Sequence, residues 1–171
     1  MSTLVLGSPP PELEALLERR RRTGADRRDE VWEGVLHMTP AAHSRHARLQ
    51  AQVLRLLAPR ADAVGLTVVG EFNLGEPDDY RVPDGGLQRP GPDQLYCPTA
   101  ALVVEIVSPG DESWVKLGFY ATRDVDEVLI VDSPKGALTW LALTQPEYRP
   151  VEYSELIDFG PAELAGQIDW R

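Results

Sequence analysis

Two acidic residues and one lysine lie on neighbouring predicted elements in the middle of the chain. Glu105 stands inside residues 101–107, an apolar run rich in β-branched residues that predicts a buried strand. Asp84 ends a short predicted strand upstream, and Lys116 lies on the predicted helix that follows Glu105. A carboxylate inside a buried strand is costly unless a cation or hydrogen-bond donors receive it. Two acids that hold a metal, with a lysine that orients water or adds positive charge, are what metal-dependent phosphodiester hydrolysis needs.

Alternation along the strand predicts which face Glu105 shares. Side chains two positions apart point the same way, so Val103 and Val107 should lie on the face of Glu105. Val104 and Ile106 should point to the opposite face. The Glu105 carboxylate can therefore reach a site on one face of this apolar strand, if that face is accessible near Asp84.

Lys116 has two interpretations. It can pair with Glu112 across one helical turn, a contact worth only tenths of a kcal/mol. Alternatively, its helix crosses over the sheet that carries Glu105, and its flexible ammonium then suits water or phosphate positioning. The sequence alone leaves both open.

Hydrophobic periodicity and breakers predict the elements around these residues. We expect helices over residues 12–22, 43–57, 111–122 and 161–168, with Asp111 or Ser108 capping the third and Trp114, Leu117 and Ala121 facing inward. We expect hairpins over residues 29–38 and over 138–143 with 147–153, and strands at 66–72, 80–84, 101–107 and 127–132. Residues 73–79 and 85–98 are expected to be loops.

These elements predict an α/β (α+β) fold with one mixed sheet between helices. The core order is helix-strand-strand-strand-helix-strand, preceded by a helix and hairpin and followed by a second hairpin. The strand-helix-strand step over residues 101–132 implies a right-handed crossover and a parallel strand pair. The 171 residues suit one domain over 1–171, with 1–11 as a flexible lead-in.

Composition narrows the classes of function. The net charge of −10 argues against a protein that simply coats nucleic acid, although it does not exclude a nuclease. The arginines at 19–22, 27 and 28 are either a solvated helix end or a phosphate-contacting patch. No apolar stretch predicts a membrane span or a signal peptide. The single cysteine, Cys97, fits a reducing cytoplasmic setting and argues against a thiolate zinc site.

Five segments of the chain resemble one known family. Residues 29–34, 73–75, 79–84, 103–109 and 127–132 are similar, in this order, to the Uma2 family. These are restriction endonuclease-like proteins of bacteria in the PD-(D/E)XK nuclease superfamily, and the resemblance covers residues 12–155. It implies a restriction-endonuclease-like core and DNA as the substrate.

The resemblance also implies roles for individual residues. Asp84 and Glu105 would be metal ligands for Mg²⁺ or Mn²⁺, joined by the backbone carbonyl of Ile106. Val107 stands where the superfamily motif has its lysine, and Lys116 would replace that lysine from the following helix.

Two further catalytic candidates follow from the family likeness. His46 lies on the helix predicted over residues 43–57, near its apolar face, and Glu33 lies in the first hairpin. Both are secondary to the two acids and the lysine.

The leading hypothesis is a Mg²⁺- or Mn²⁺-dependent DNA endonuclease that acts through Asp84, Glu105 and Lys116. A second hypothesis is a catalytically degenerate nuclease fold that serves as a binding or assembly module. A third is an unrelated mixed α/β protein in which Glu105 is a satisfied core acid. Apolar strands and an exposed Trp170 leave room for a homodimer, which two-strand cutting would favour.

Overall fold

The computed structural model describes residues 10–108 and 112–171, which form a mixed α/β fold. The helices in this part of the chain are α1 (Pro11–Thr23), α2 (Ser44–Ala63), α3 (Leu117–Thr122) and α4 (Pro161–Ala165). The strands of the N-terminal half are β1 (Glu30–Trp32), β2 (Val35–His37), β3 (Thr67–Val69), β4 (Asn73–Glu76), β5 (Asp79–Arg81) and β6 (Gly85–Gln88). Those that follow are β7 (Tyr96–Cys97), β8 (Leu102–Val107), β9 (Glu127–Asp132), β10 (Ala137–Thr144) and β11 (Glu147–Pro150).

The larger sheet has six strands in the order β11-β10-β9-β8-β6-β3. β8 and β9 are parallel, which confirms the strand pairing predicted from residues 101–132. On one face, Val104 and Ile106 pack into the core that α2 covers. On the other face, Val103 and Val107 pack with Tyr120 of α3. The alternation predicted around Glu105 is therefore confirmed.

The predicted single sheet is wrong, because the chain forms a second, five-stranded sheet in the order β2-β1-β5-β4-β7. Residues 82–84 carry the chain from β5 in this sheet to β6 in the larger one. Pro83 has no N–H to donate to a strand ladder, so regular pairing ends at this point. Asp84 thus lies where the chain passes between the two sheets.

Both predicted loops contain strands. Residues 73–79 form β4 and the turn into β5, and residues 85–98 contain β6 and β7. β6 is an internal strand that pairs with β3 and β8. A Cβ at Gly86 would collide with the carbonyl oxygen of Leu102, and one at Gly85 would lie 2.7 Å from Leu54 Cδ2. The glycines that suggested a loop are required by the close approach of neighbouring groups.

The helix predictions hold for α1 and α2, with α2 continuing to Ala63. α3 begins only at Leu117, after a turn over residues 113–116. Its N-cap is Lys116, so the predicted cap Ser108 is wrong, and the alternative cap Asp111 lies outside the described residues. Trp114 is 49% exposed, so its predicted inward position is wrong, while Leu117 and Ala121 do face the core. No helix in the described ranges is long and apolar enough to cross a membrane.

Trp170 was expected to be exposed, and this prediction is also wrong. Its side chain packs against the core between α2 and the six-stranded sheet, and its indole N–H donates to the carbonyl of Ala165. The last residues of the chain therefore cover the core, and the exposed tryptophan is Trp114.

Candidate active site

A cleft of about 300 Å³ is lined by residues from both sheets, beside the carboxyl end of β8. Among its lining residues are three carboxylates, two cations and one histidine: Glu30, Asp84, Glu105, Arg28, Lys116 and His46. We call this site the acidic cleft. It brings together the predicted acids and the predicted lysine.

Glu105 is only 3% exposed and is held by two donors. Its Oε1 accepts a hydrogen bond from Lys116 Nζ at 3.1 Å and another from the Tyr120 hydroxyl. Burial, together with the nearby charges of Asp84 and Glu30, raises the pKa of Glu105 to about 8 against the opposing effect of the Lys116 ammonium. A cation placed among these carboxylates would favour the ionised form of Glu105.

The Lys116 ammonium lies between two carboxylates. Nζ is 2.8 Å from Glu30 Oε1 and 3.1 Å from Glu105 Oε1. Burial lowers the pKa of Lys116, but Glu105 and Glu30 outweigh it and leave that pKa above its usual 10.5. Lys116 is therefore an ammonium at neutral pH. Of the two interpretations open from the sequence, its Nζ adopts the one that points to Glu105.

Asp84 is bonded through both carboxylate oxygens. Oδ1 accepts from Arg28 at 2.5 Å and lies 2.8 Å from His46 Nε2. Oδ2 accepts the backbone N–H of Ile106 at 2.8 Å, which ties Asp84 to the residue after Glu105. The backbone carbonyl of Asp84 accepts from Gln50 of α2 at 2.6 Å. These contacts fix the Asp84 side chain in the acidic cleft.

The two secondary candidates are placed differently. His46, in the first turn of α2, reaches Asp84 through Nε2 and lies 3.2 Å from Ser108 Oγ through Nδ1. Glu33 is exposed in the turn between β1 and β2, where its φ is 50° and its backbone N–H donates to Asp79. Glu33 does not line the acidic cleft. Glu30, in the same hairpin, does.

Three residues of the site were missed in the sequence. Tyr120 follows Lys116 by one helical turn, so the i, i+4 spacing could have placed both on the side of Glu105. Glu30 is an acid in the short apolar strand β1. An acid within an apolar strand is the pattern that singled out Glu105, but β1 is too short to make the pattern clear. Arg28 belongs to the basic run, and nothing in the sequence separates it from the exposed arginines around it.

The oxygen donors of the cleft suit a hard divalent cation. Mg²⁺ and Mn²⁺ bind one or two carboxylates and complete their coordination with water and substrate oxygens. The charge of Asp84 raises the pKa of Glu105, so a shared cation would relieve the repulsion between the two acids. Across residues 10–108 and 112–171, no group of three or more His, Cys, Asp or Glu side chains has the arrangement of a complete metal site.

The two mixed sheets with their helices form an α/β fold, and residues of both sheets line the acidic cleft. The profile of the Uma2 family, described as "Putative restriction endonuclease", matches residues 10–169, and the chain belongs to this family. A solved structure, a putative nuclease belonging to DUF820 from Anabaena variabilis, is similar in fold with a TM-score of 0.67. Its identity is 14%, and the match covers 81% of this chain and 90% of that one. No curated protein matches the sequence.

Proposed function

We propose that this protein is a divalent-metal-dependent endonuclease that hydrolyses DNA phosphodiester bonds. The observation that carries the proposal is the contact between Lys116 and Glu105 in the acidic cleft. Val107 occupies the motif position of the lysine, yet an ammonium from another element reaches the same acid. Membership of the Uma2 family supports the reaction class.

In this proposal Asp84 and Glu105 hold Mg²⁺ or Mn²⁺, with the backbone carbonyl of Ile106 as a further ligand. The bound ion would lower the pKa of a water molecule and offset the charge on the phosphoryl oxygens. The protein's own residues keep the carboxylates in place. His46 and Arg28 hold Asp84, and the Tyr120 hydroxyl holds Glu105.

Lys116 acts as a charged hydrogen-bond donor rather than as a base or an acid. Its pKa is raised by Glu105 and Glu30 despite burial, so it stays charged through the neutral range. A fixed ammonium can donate to the attacking water or to a phosphoryl oxygen and stabilise the charge that grows there. This role needs no proton transfer to or from the lysine.

The test uses substitutions that keep side-chain shape, so that no cavity is added to the loss of a buried ion-pair partner, which itself costs about 3–5 kcal/mol. Supercoiled plasmid is incubated with Mn²⁺ and wild-type protein, Asp84→Asn, Glu105→Gln or Lys116→Met. We expect each variant to nick at least about 100-fold more slowly than wild type. Calorimetry should show that the two acid variants lose Mn²⁺ binding and that Lys116→Met retains it.

Glu127→Gln is the matched control. Glu127 is a second buried acid on the same strand pair, but it lies at the other end of β8–β9 and outside the acidic cleft. Its variant should cut at the wild-type rate. Equal residual cutting by every variant would indicate a contaminating nuclease and sink the proposal. Mn²⁺ binding without any cutting by the wild type would instead favour the degenerate binding module.

A further inference from the structure

The N-terminal hairpin contributes a third buried acid, Glu30, to the acidic cleft. Glu30 is 5% exposed and lies on β1, in the five-stranded sheet, whereas Glu105 lies on β8 in the six-stranded sheet. Lys116 Nζ lies between the two carboxylates. The lysine is thus held from both sheets.

The oxygens of Glu30 are already occupied by donors. Oε1 accepts from Lys116 Nζ and from the backbone N–H of Val82, each at 2.8 Å. Oε2 accepts from the indole N–H of Trp32 at 2.7 Å. Of these three partners, Lys116 is the one whose side chain also contacts Glu105. The contact of Glu30 with the proposed metal-binding acids therefore runs through Lys116.

The origin of the lysine explains why a second acid is needed. Lys116 is the last residue of a turn instead of lying on β8, so its long side chain must reach the cleft from outside the strand. One carboxylate can attract a flexible ammonium without fixing its direction. Two carboxylates, one from each sheet, restrict Nζ to positions within reach of both.

Glu30 is itself fixed by its surroundings. Trp32, which donates to it, stacks against the guanidinium of Arg81 at 4.4 Å, and Arg81 stacks on Phe119 of α3 at 4.0 Å. The bond from Val82 connects Glu30 to the segment that leads to Asp84. β1 and α3 are therefore joined both by the ion pair and by an aromatic-arginine stack.

We infer that Glu30 is a positioning residue that aims the Lys116 ammonium at the Glu105 side of the acidic cleft. This inference rests on the proposed function for its catalytic consequence, and its structural part can be tested without any nuclease activity. The test variant is Glu30→Gln. Asp29→Asn is the matched control, since Asp29 is equally buried on the same hairpin but pairs with Arg20 at 2.5 Å outside the cleft.

The first measurement uses the fact that the chain has two lysines, Lys116 and Lys135. The metal-free protein is methylated with ¹³C-formaldehyde and a hydride donor, and each dimethyl-lysine is observed by NMR and mass spectrometry. In wild type, Lys135, which is 77% exposed, should react and Lys116 should be protected. Glu30→Gln should make Lys116 react at least about tenfold faster, whereas Asp29→Asn should leave it protected.

The second measurement is a double-mutant cycle on plasmid nicking. Glu30→Gln should slow cutting by about 10- to 100-fold because the ammonium is misplaced. Adding Glu30→Gln to Lys116→Met should cause no further loss, since Glu30 acts only through the lysine. A merely structural role would multiply the two losses.

The outcomes separate the inference from the proposed function. Unchanged protection of Lys116 in Glu30→Gln, or multiplied losses in the double variant, would overturn the positioning role. Faster methylation of Lys116 in a protein that never cuts DNA would refute the nuclease and leave the positioning role standing. If Glu30→Gln does not fold, Trp32→Phe removes one donor from Glu30 and keeps an aromatic ring beside Arg81. Trp32→Phe should also make Lys116 react faster. Unchanged reactivity of Lys116 in this variant would overturn the inference.

Discussion

Two buried glutamates mark opposite ends of the β8–β9 pair, and they differ in what receives their carboxylates. Glu105 accepts from the Lys116 ammonium inside a cleft. Glu127 accepts from two neutral donors, the Trp140 indole at 2.7 Å and the Ser154 hydroxyl at 2.6 Å. The neutral donors around Glu127 satisfy its hydrogen bonds within the core. Glu105 instead faces an open cleft, where a cation can reach it. A buried acid alone therefore does not mark a site.

The contrast gives a prediction on pH and stability at Glu127. Burial raises the pKa of Glu127 above its usual 4.5, against the opposing hydrogen bonds of Ser154 and Trp140. As pH rises above 4.5 the unfolded chain loses this proton first, so the free energy of unfolding falls until the folded-state pKa is passed. The difference between wild type and Glu127→Gln should fall by up to about 1.4 kcal/mol per pH unit in that window.

Urea denaturation at intervals from pH 4.5 upwards measures this difference. Subtracting the free energy of unfolding of Glu127→Gln from that of wild type cancels the contribution of every other titrating group, because both proteins share those groups. A constant offset between them is expected from the new amide and is not informative. A difference that stays flat, or that grows with pH, would contradict the raised pKa of Glu127.

At the scale of elements, β6 is the strand on which the site depends most. It joins β3 to β8 in the large sheet and begins directly after Asp84. We expect Gly86→Ala to lower the free energy of unfolding by at least about 2 kcal/mol, because the new methyl group meets the backbone of Leu102. Gly70→Ala, where a Cβ meets nothing within 4 Å, should change stability by about 0.5 kcal/mol or less. Urea midpoints with unchanged slopes provide the comparison.

These elements show which parts of the fold and the site could be predicted from the sequence. α2, β8, β9 and the β10–β11 hairpin were predicted because their apolar periodicity is strong and local. β6 was missed because glycine has no side chain to show a pattern, and its role comes from a neighbour in space. Lys116, Asp84 and Glu105 could be proposed from types and spacing, but Glu30 could not, because its contact joins residues that are 86 positions apart in the chain.

At the scale of the whole molecule, positive charge is concentrated at one place on an acidic protein. Arg19, Arg21 and Arg22 are exposed at the end of α1, and the total net charge is −10. Their neighbour Arg20 donates to the carbonyl of Thr39, and Thr39 lines the acidic cleft. The end of α1 is therefore tied to a residue that lines the cleft, which under the proposed function would place these arginines near a nucleic acid backbone.

The last prediction is that these three arginines contact phosphates. Replacing Arg19, Arg21 and Arg22 together with Gln should weaken binding of a labelled duplex, measured by fluorescence anisotropy in EDTA so that no cutting occurs. The slope of log K against log salt should become shallower by about 0.9 for each phosphate that an arginine no longer neutralises. The control replaces the exposed Arg55, Arg149 and Arg171, which removes the same amount of charge elsewhere. If both triple variants lose affinity equally, only net charge matters, and the end of α1 is a solvated helix terminus with no place in the interface.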